Sequence, residues 1–475
     1  MTPELQRWRV GRPWATNVVL CGLGFALLCM SRQFVAENDG FSMGFSGVSG
    51  WSAILYIAAV MVVLTQPANR WTLWVIGGFA VACRLAPLYA EPFLSSDMYR
   101  YVWDGIVQHA HVNPYHYVPG DPVLTFLRKP NQEIFDNMNR RDYARTIYPP
   151  VAQMIYFAVT WISPTVTMMK LAMVGFECVA AAAMVALLKR MGRPREQVLL
   201  YAWCPLLVWE LAGAGHVDAA VIAFVALALL FRARGDNLLT GLFLGLAVMT
   251  KFYPLVLFPA LYRRWDWKMP AMVVAVAAVG YAAYSSVGMM VFGFLGGYTE
   301  EEGMATGARY FLLQWMQTLR GLQWVSTGVY LGLCVVVFGG LMVWAWRRAT
   351  IEGPVEGPAE FAGPRMVGME PQFLKTAAMF AMALMLLFSP HYPWYIVWLV
   401  PFFALTPSLP MLAYTMGFFY LFTTALADPG PKMFLLNRIL YGGTLVAFAV
   451  HFVLRKWPVH RWLHPVYAGR WREAD

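Results

Sequence analysis

Residues 95–122 read SSDMYRYVWDGIVQHAHVNPYHYVPGDP and set two carboxylates, an arginine and several aromatics directly after a run of apolar segments. Ser95 or Ser96 can cap a helix that carries Asp97 in its first turn. Asp97, Arg100, Tyr101 and Asp104 are then spaced i, i+3, i+4 and i+7 and share one helical face. Such a face at the edge of an apolar bundle calls for a reason, because isolated charge there is costly. One reading is an interfacial helix whose polar side meets water. The other is a catalytic carboxylate serving a lipid-borne substrate. Asp97 in a partly desolvated cleft would have its pKa raised and become a better base for a hydroxyl. Asp104 lies about 10 Å further along the axis, so the two acids need not contact the same atom. Arg100 anchors either Asp104 or a phosphate.

Other polar residues interrupt apolar sequence in the same way. Lys251, in Lys251-Phe252-Tyr253-Pro254, falls within an apolar stretch. A lysine at membrane depth faces a cavity or finds a counter-charge, and as a point charge it suits a phosphate. Snorkelling or pairing within the bundle is the alternative. His216 and Asp218 sit at a Gly-rich junction, Gly213 to Asp218, that permits close backbone approach. They form a proton relay, bind a sugar, or cap the next helix. Glu210 is a further candidate within an apolar run. His391, Tyr392, Trp394 and Tyr395 separate two apolar segments. They are either interfacial-belt residues, or a histidine donating to a phosphate beside rings that stack on a sugar. Arg309 and Arg320, in a loop near 293–322, are additional phosphate candidates.

The elements that must position these residues are membrane spans. The chain has 475 residues, 59% hydrophobic and only 13% charged, with mean hydropathy +0.52. That excludes a soluble globular protein and a disordered chain, and leaves an all-α polytopic transmembrane bundle as the fold class. The net charge of +10 does not signal nucleic-acid binding, because Lys and Arg concentrate in short loops where they set topology. All six cysteines lie in apolar segments without metal-ligand spacing, so no functional disulfide or zinc site is expected. There is no Walker loop, dinucleotide fingerprint or HExxH pair. The first apolar run follows Arg7, Arg9 and Arg12 without a cleavage signature and reads as a retained span.

Charge bias predicts a cytoplasmic start, spans near 17–34, 50–65 and 71–90, and an extracytoplasmic loop at 91–150 that is long enough to be functional. Residues 151–163 read as a perched or re-entrant helix and 165–188 as a true span. Spans follow near 197–213 and 217–232. Residues 238–263 form a helical hairpin with Lys251 at its tip. Further spans fall near 270–291, 323–345, 373–389, 394–407, 410–427 and 435–454, and residues 348–372 form a Gly/Pro/Glu-rich cytoplasmic loop. The count is about 11–13 membrane helices in a single domain, 1–475. On this topology Asp97 to Asp104, His216, Asp218 and His391 share the outer face, with Lys251 pointing toward it.

In order, the helix Asp97 to Gly105, the Asn113-Pro114-Tyr115 turn, Tyr148-Pro149-Pro150, Gly215-His216-Val217-Asp218, Lys251-Phe252-Tyr253-Pro254 and Ser389 to Tyr395 resemble the GT-C superfamily of integral-membrane glycosyltransferases. Within it they are most similar to bacterial polyprenyl-phosphate-mannose-dependent mannosyltransferases and glycosyltransferase family 87. The resemblance runs from about 95 to 410. It implies inverting transfer of a sugar, mannose in those relatives, from a polyprenyl phosphate to an acceptor hydroxyl of a lipid-linked or cell-envelope glycan, outside the cytoplasm of a bacterial inner membrane. Asp97 maps to the family's base and His391 to its later outer-face histidine. One departure is that two spans precede the usual first one. The expected donor phosphate ligands are Lys251, His391 and Arg309. The expected sugar or acceptor contacts are Arg100, Tyr101, Asp104, His216, Asp218, Tyr392 and Trp394. Partners are the lipid-linked donor, a glycan or glycolipid acceptor and membrane lipid. No cofactor is expected; a divalent metal is possible but nothing indicates one. The rival readings are a transporter or flippase of polyprenyl-linked glycans, although no internal repeat of spans is seen, and a non-catalytic assembly subunit of the same fold.

Overall fold

A computed structural model describes residues 13–36, 43–92, 94–348, 371–390, 392–421 and 437–456. His391, most of the expected 348–372 loop and residues 457–475 lie outside the described residues. Among the described residues the protein is helical throughout, with no strand. Apolar backbone in lipid has to satisfy its own hydrogen bonds, and helices do so within one segment.

Among the described residues four helices are long and apolar enough to cross a membrane: Pro13–Ala36, Gly47–Thr65, Val166–Arg190 and Thr327–Arg347. A bent pair, Lys268–Ala283 with Ser285–Glu301, turns by 114° and makes a possible fifth. The other apolar segments among the described residues are short helices or broken ones. The expected continuous span at 197–213 is divided into 3-10 and α turns over 195–202, a turn at Pro205–Leu207 and a π segment Val208–Gly213. Pro205 lacks the N–H that would continue the ladder. The same chemistry acts in the expected hairpin. Its first arm is the helix Asn237–Val248, but Pro254 and Pro259 leave the second as a 3-10 segment Tyr253–Leu257 and one turn, Phe258–Leu261. Residues 393–405 likewise break into 3-10 turns and a short helix, Val400–Leu405.

The expected separation at Ser163-Pro164 is observed. Pro150–Ile162 ends at an extended Ser163, and Thr165 caps Val166–Arg190 by accepting the Met168 N–H at 3.2 Å. The core runs through a chain of helix contacts: Val166–Arg190 packs on Asp218–Arg234, that helix on Asn237–Val248, and that on Lys268–Ala283. Charged side chains inside the bundle find partners, either a counter-charge or backbone carbonyls, as Lys170 does with Pro87 O and Ala90 O. Arg84 and Glu177 meet at 2.7 Å with side chains 4% and 1% exposed, and Arg84 also donates to Ala202 O at 2.7 Å. A buried charge needs such partners.

The helix Asp97–His109 packs against Pro150–Ile162. Gly105 permits the approach: a Cβ there would stand 2.3 Å from Thr160 Oγ1. Residues Met98 to Val107 are all buried, so the helix is not an interfacial one with a wet polar face. Its N-terminal residue alone of the expected quartet reaches open space.

Candidate active site

The N-terminus of that helix opens on a cavity of about 660 Å³. The cavity is lined by segments remote in sequence: Ser95 to Asp97, Asn139 and Arg140, Tyr148, Lys251 to Tyr253, Tyr298, Glu302, Arg309, and Tyr392, Trp394 and Tyr395. Asp97 is half-buried in its wall. Its N–H donates to Ser95 Oγ at 3.2 Å, so a serine fixes the start of the helix as its type suggested, although by a turn rather than a cap. Asn139 Nδ2 donates to Asp97 Oδ1 at 2.9 Å, and Tyr148 OH donates to Oδ2 at 3.1 Å. Each carboxylate oxygen is therefore aimed by one donor.

The charge state of Asp97 departs from the sequence expectation. Burial pushes its pKa up, but the fields of His216, Lys251 and Arg140 and the Asn139 hydrogen bond outweigh burial and hold it below the usual carboxylate value. The expected rise considered desolvation alone; the cations come from elsewhere in the chain.

Lys251 Nζ stands 2.5 Å from Asp218 Oδ2, and Tyr253 OH donates to Asp218 Oδ1 at 2.9 Å. The Asp218 side chain is fully buried while that of Lys251 is 17% exposed. Lys251 is thus both paired within the bundle and open to the cavity. Asp218 sits behind the wall as the anchor of Lys251. His216 lies beside it in the chain, where Gly215, at φ +74°, leaves room for Met98. His216 Nε2 is 3.2 Å from Glu210 Oε2, and its ring stacks on Trp394 with centroids 5.0 Å apart. Tyr392 stacks on the same indole at 4.4 Å. Tyr392 and Trp394 line the cavity, whereas His216 supports Trp394 from behind.

Arg309 lines the cavity and is bound to Glu302, to Phe388 O at 3.2 Å and over the Tyr395 ring at 5.1 Å. Tyr395 and Tyr298 meet through their hydroxyls. Arg100, Tyr101, Asp104 and Arg320 do not line the cavity. Arg100 Nε and Asp104 Oδ1 form a buried ion pair at 2.8 Å, completed by Gln153 Nε2 on Asp104 Oδ2 at 2.8 Å and by Ala144 O. Tyr101 is buried, stacked on Tyr156 at 4.6 Å. These three brace the helix that presents Asp97.

Asn139, Arg140, Tyr298 and Glu302 were not singled out from the sequence. Tyr148 was noticed only as part of a Pro-rich turn. Asn139 and Arg140 lie in polar loop sequence, where another polar residue carries no contrast.

The bundle, with Asp97 presented to a cavity that Lys251, Arg140 and Arg309 also line, has the parts of a membrane-embedded group-transfer enzyme. The family model described as alpha-(1->6)-mannopyranosyltransferase, N-terminal domain, of the MptA_B family, matches residues 16–266, more than half of the chain. The chain belongs to this family and is a mannosyltransferase of the GT-C type. No curated protein and no solved structure matches significantly. Membership of the family favours sugar transfer over transport.

Proposed function

We propose that the protein transfers mannose from a polyprenyl-phosphate donor to an acceptor hydroxyl of a lipid-linked or cell-envelope glycan, on the extracytoplasmic side and with inversion. The observation that carries this reading is the cavity itself: Asp97, held by Asn139 and Tyr148, shares it with Lys251, Arg140 and Arg309 and with apolar side chains such as Leu384, Met385 and Phe388. A base, an anion-binding rim and an apolar wall are what a lipid phosphate sugar and its acceptor require together.

In the reaction the acceptor oxygen forms a bond to the anomeric carbon while Asp97 takes its proton. The bond from that carbon to the phosphate oxygen breaks, and the electron pair leaves with the polyprenyl phosphate. Lys251 and Arg309 face the charge that develops there. Lys251 and Arg140, two of the groups that lower the Asp97 pKa, line the cavity where the donor phosphate would sit. A phosphate bound there offsets their effect and raises the basicity of Asp97. Tyr392 and Trp394 offer flat faces to a sugar. The family description names an alpha-(1->6) linkage; carried to this chain, it gives an α product, so inversion demands a β-linked donor.

The donor is tested with purified protein and an α-mannoside acceptor, offering radiolabelled mannose either as mannosyl-phosphoprenol or as a nucleotide-activated sugar. Transfer from the lipid alone is expected. Transfer from the nucleotide sugar alone would discard the lipid-donor reading.

A further inference from the structure

Arg140, Lys251 and Arg309 face the cavity, and they differ in how firmly their counter-charges hold them. Lys251 is tied to Asp218, which is fully buried and also accepts from Tyr253. Arg309 and Glu302 are each 4% exposed, and Arg309 is further held by Phe388 O. Separating a buried pair leaves an uncompensated charge and is strongly disfavoured. Arg140 is different. Its Nε meets Glu301 Oε2 at 2.7 Å, with both side chains 31% exposed. A pair that open to solvent contributes little, and Glu301 retains the Tyr143 hydroxyl, at 3.0 Å, when Arg140 departs. Arg140 also directly follows Asn139, the residue that fixes Asp97 Oδ1. Its backbone holds φ +52°, in the left-handed region that a non-glycine residue occupies only when its surroundings impose it.

We propose that Arg140 is an exchangeable phosphate ligand, which leaves Glu301 for the prenyl phosphate as the glycosidic bond breaks. This rests on the lipid-donor reading above. The donor is a phosphodiester with one negative charge. When the sugar departs, the electron pair stays on the phosphate oxygen and the product is a monoester that carries up to two. A guanidinium fork matches that group in a bidentate contact, which a lysine cannot make. A contact that strengthens as the charge grows lowers the barrier rather than merely tightening binding. Fixed Lys251 and Arg309 receive the headgroup, and mobile Arg140 follows the charge.

The test is binding of farnesyl phosphate, with farnesol as the uncharged control, to the full chain in detergent at fixed salt, for wild type, Arg140→Ala, Arg140→Lys and Glu301→Gln. Wild type is expected to prefer the phosphate. Arg140→Ala should weaken phosphate binding roughly ten-fold, the scale of one charged hydrogen bond, without changing farnesol. Arg140→Lys should recover part of the loss, and Glu301→Gln should bind as tightly as wild type or tighter. Should Arg140→Ala fail to fold, the Arg140→Lys and Glu301→Gln proteins carry the same comparison. If Glu301→Gln loses affinity as the Arg140 variants do, the pair is a structural brace and the proposal falls. If folded Arg140 variants keep the wild-type preference for phosphate, the proposal also falls while the lipid-donor reading stands. If wild type does not prefer farnesyl phosphate to farnesol, the donor reading fails, and this inference with it.

Discussion

Asp97→Asn is expected to yield a folded protein whose mannosyl transfer is lowered by about 10²- to 10⁴-fold, the usual contribution of a positioned general base. The amide keeps the size of the carboxylate and can still accept one of the hydrogen bonds from Asn139 and Tyr148. It cannot take the acceptor proton. The packing of the helix is expected to survive, because its buried brace is Arg100 with Asp104 and Gln153, not Asp97. Transfer by a variant with a native elution profile measures the effect, and activity near wild type would refute Asp97 as the base. The pH profile adds a signed expectation. The pKa of Asp97 is held below the ordinary carboxylate value, so the charged form persists as pH falls through that value. The midpoint of the acidic limb of kcat/KM, which reports the free enzyme, should lie below the ordinary Asp value of about 3.9. A limb well above it would show that Asp97 is not the group being titrated.

Lys251→Ala should damage both stability and transfer, and the two can be separated. Removing the lysine leaves Asp218 buried with only Tyr253 as a hydrogen-bond partner. An uncompensated buried charge costs about 3–5 kcal/mol, so a marked fall in Tm is expected. The double variant Lys251→Met, Asp218→Leu removes both charges and should regain most of that stability. It should not regain transfer, because no ammonium then faces the leaving phosphate. Lys251→Arg should recover part of the activity, limited by the different shape of the fork. Measuring Tm and turnover on the same preparations decides the matter. Recovery of both in the double variant would reduce Lys251 to a structural partner of Asp218.

The parts of the site that could be read from the sequence are those that stand against an apolar background. Lys251 within an apolar stretch and Asp97 after a run of spans are conspicuous because lipid penalises charge, and the cavity brings both to one place. Arg309, Tyr392 and Trp394 also reach it. Asn139 and Arg140 were not legible because the loop around them is already polar. The spacing of Arg100 and Asp104 suits an i, i+4 pair as well as it suits a site, and the structure places them in a buried pair. The fold class followed from composition and run length. Continuity of each span did not, because an apolar run reads alike whether straight or broken. The breaks near Pro205, Pro254 and Pro259 depend on local N–H loss within such runs. The direction of the Asp97 shift was not legible because the groups that lower it, at positions 139, 140, 216 and 251, come from elsewhere in the chain.

The account turns on in-line displacement by an acceptor that Asp97 deprotonates, and the anomeric configuration of the donor tests that directly. Purified protein should be given mannosyl-phosphoprenol in the β and in the α form, each with the same mannoside acceptor, and the new linkage assigned by NMR. The account predicts that the β donor is consumed and yields an α-mannoside, while the α donor is left intact. An α product formed from the α donor would mean retention, and would contradict a single displacement with Asp97 as base.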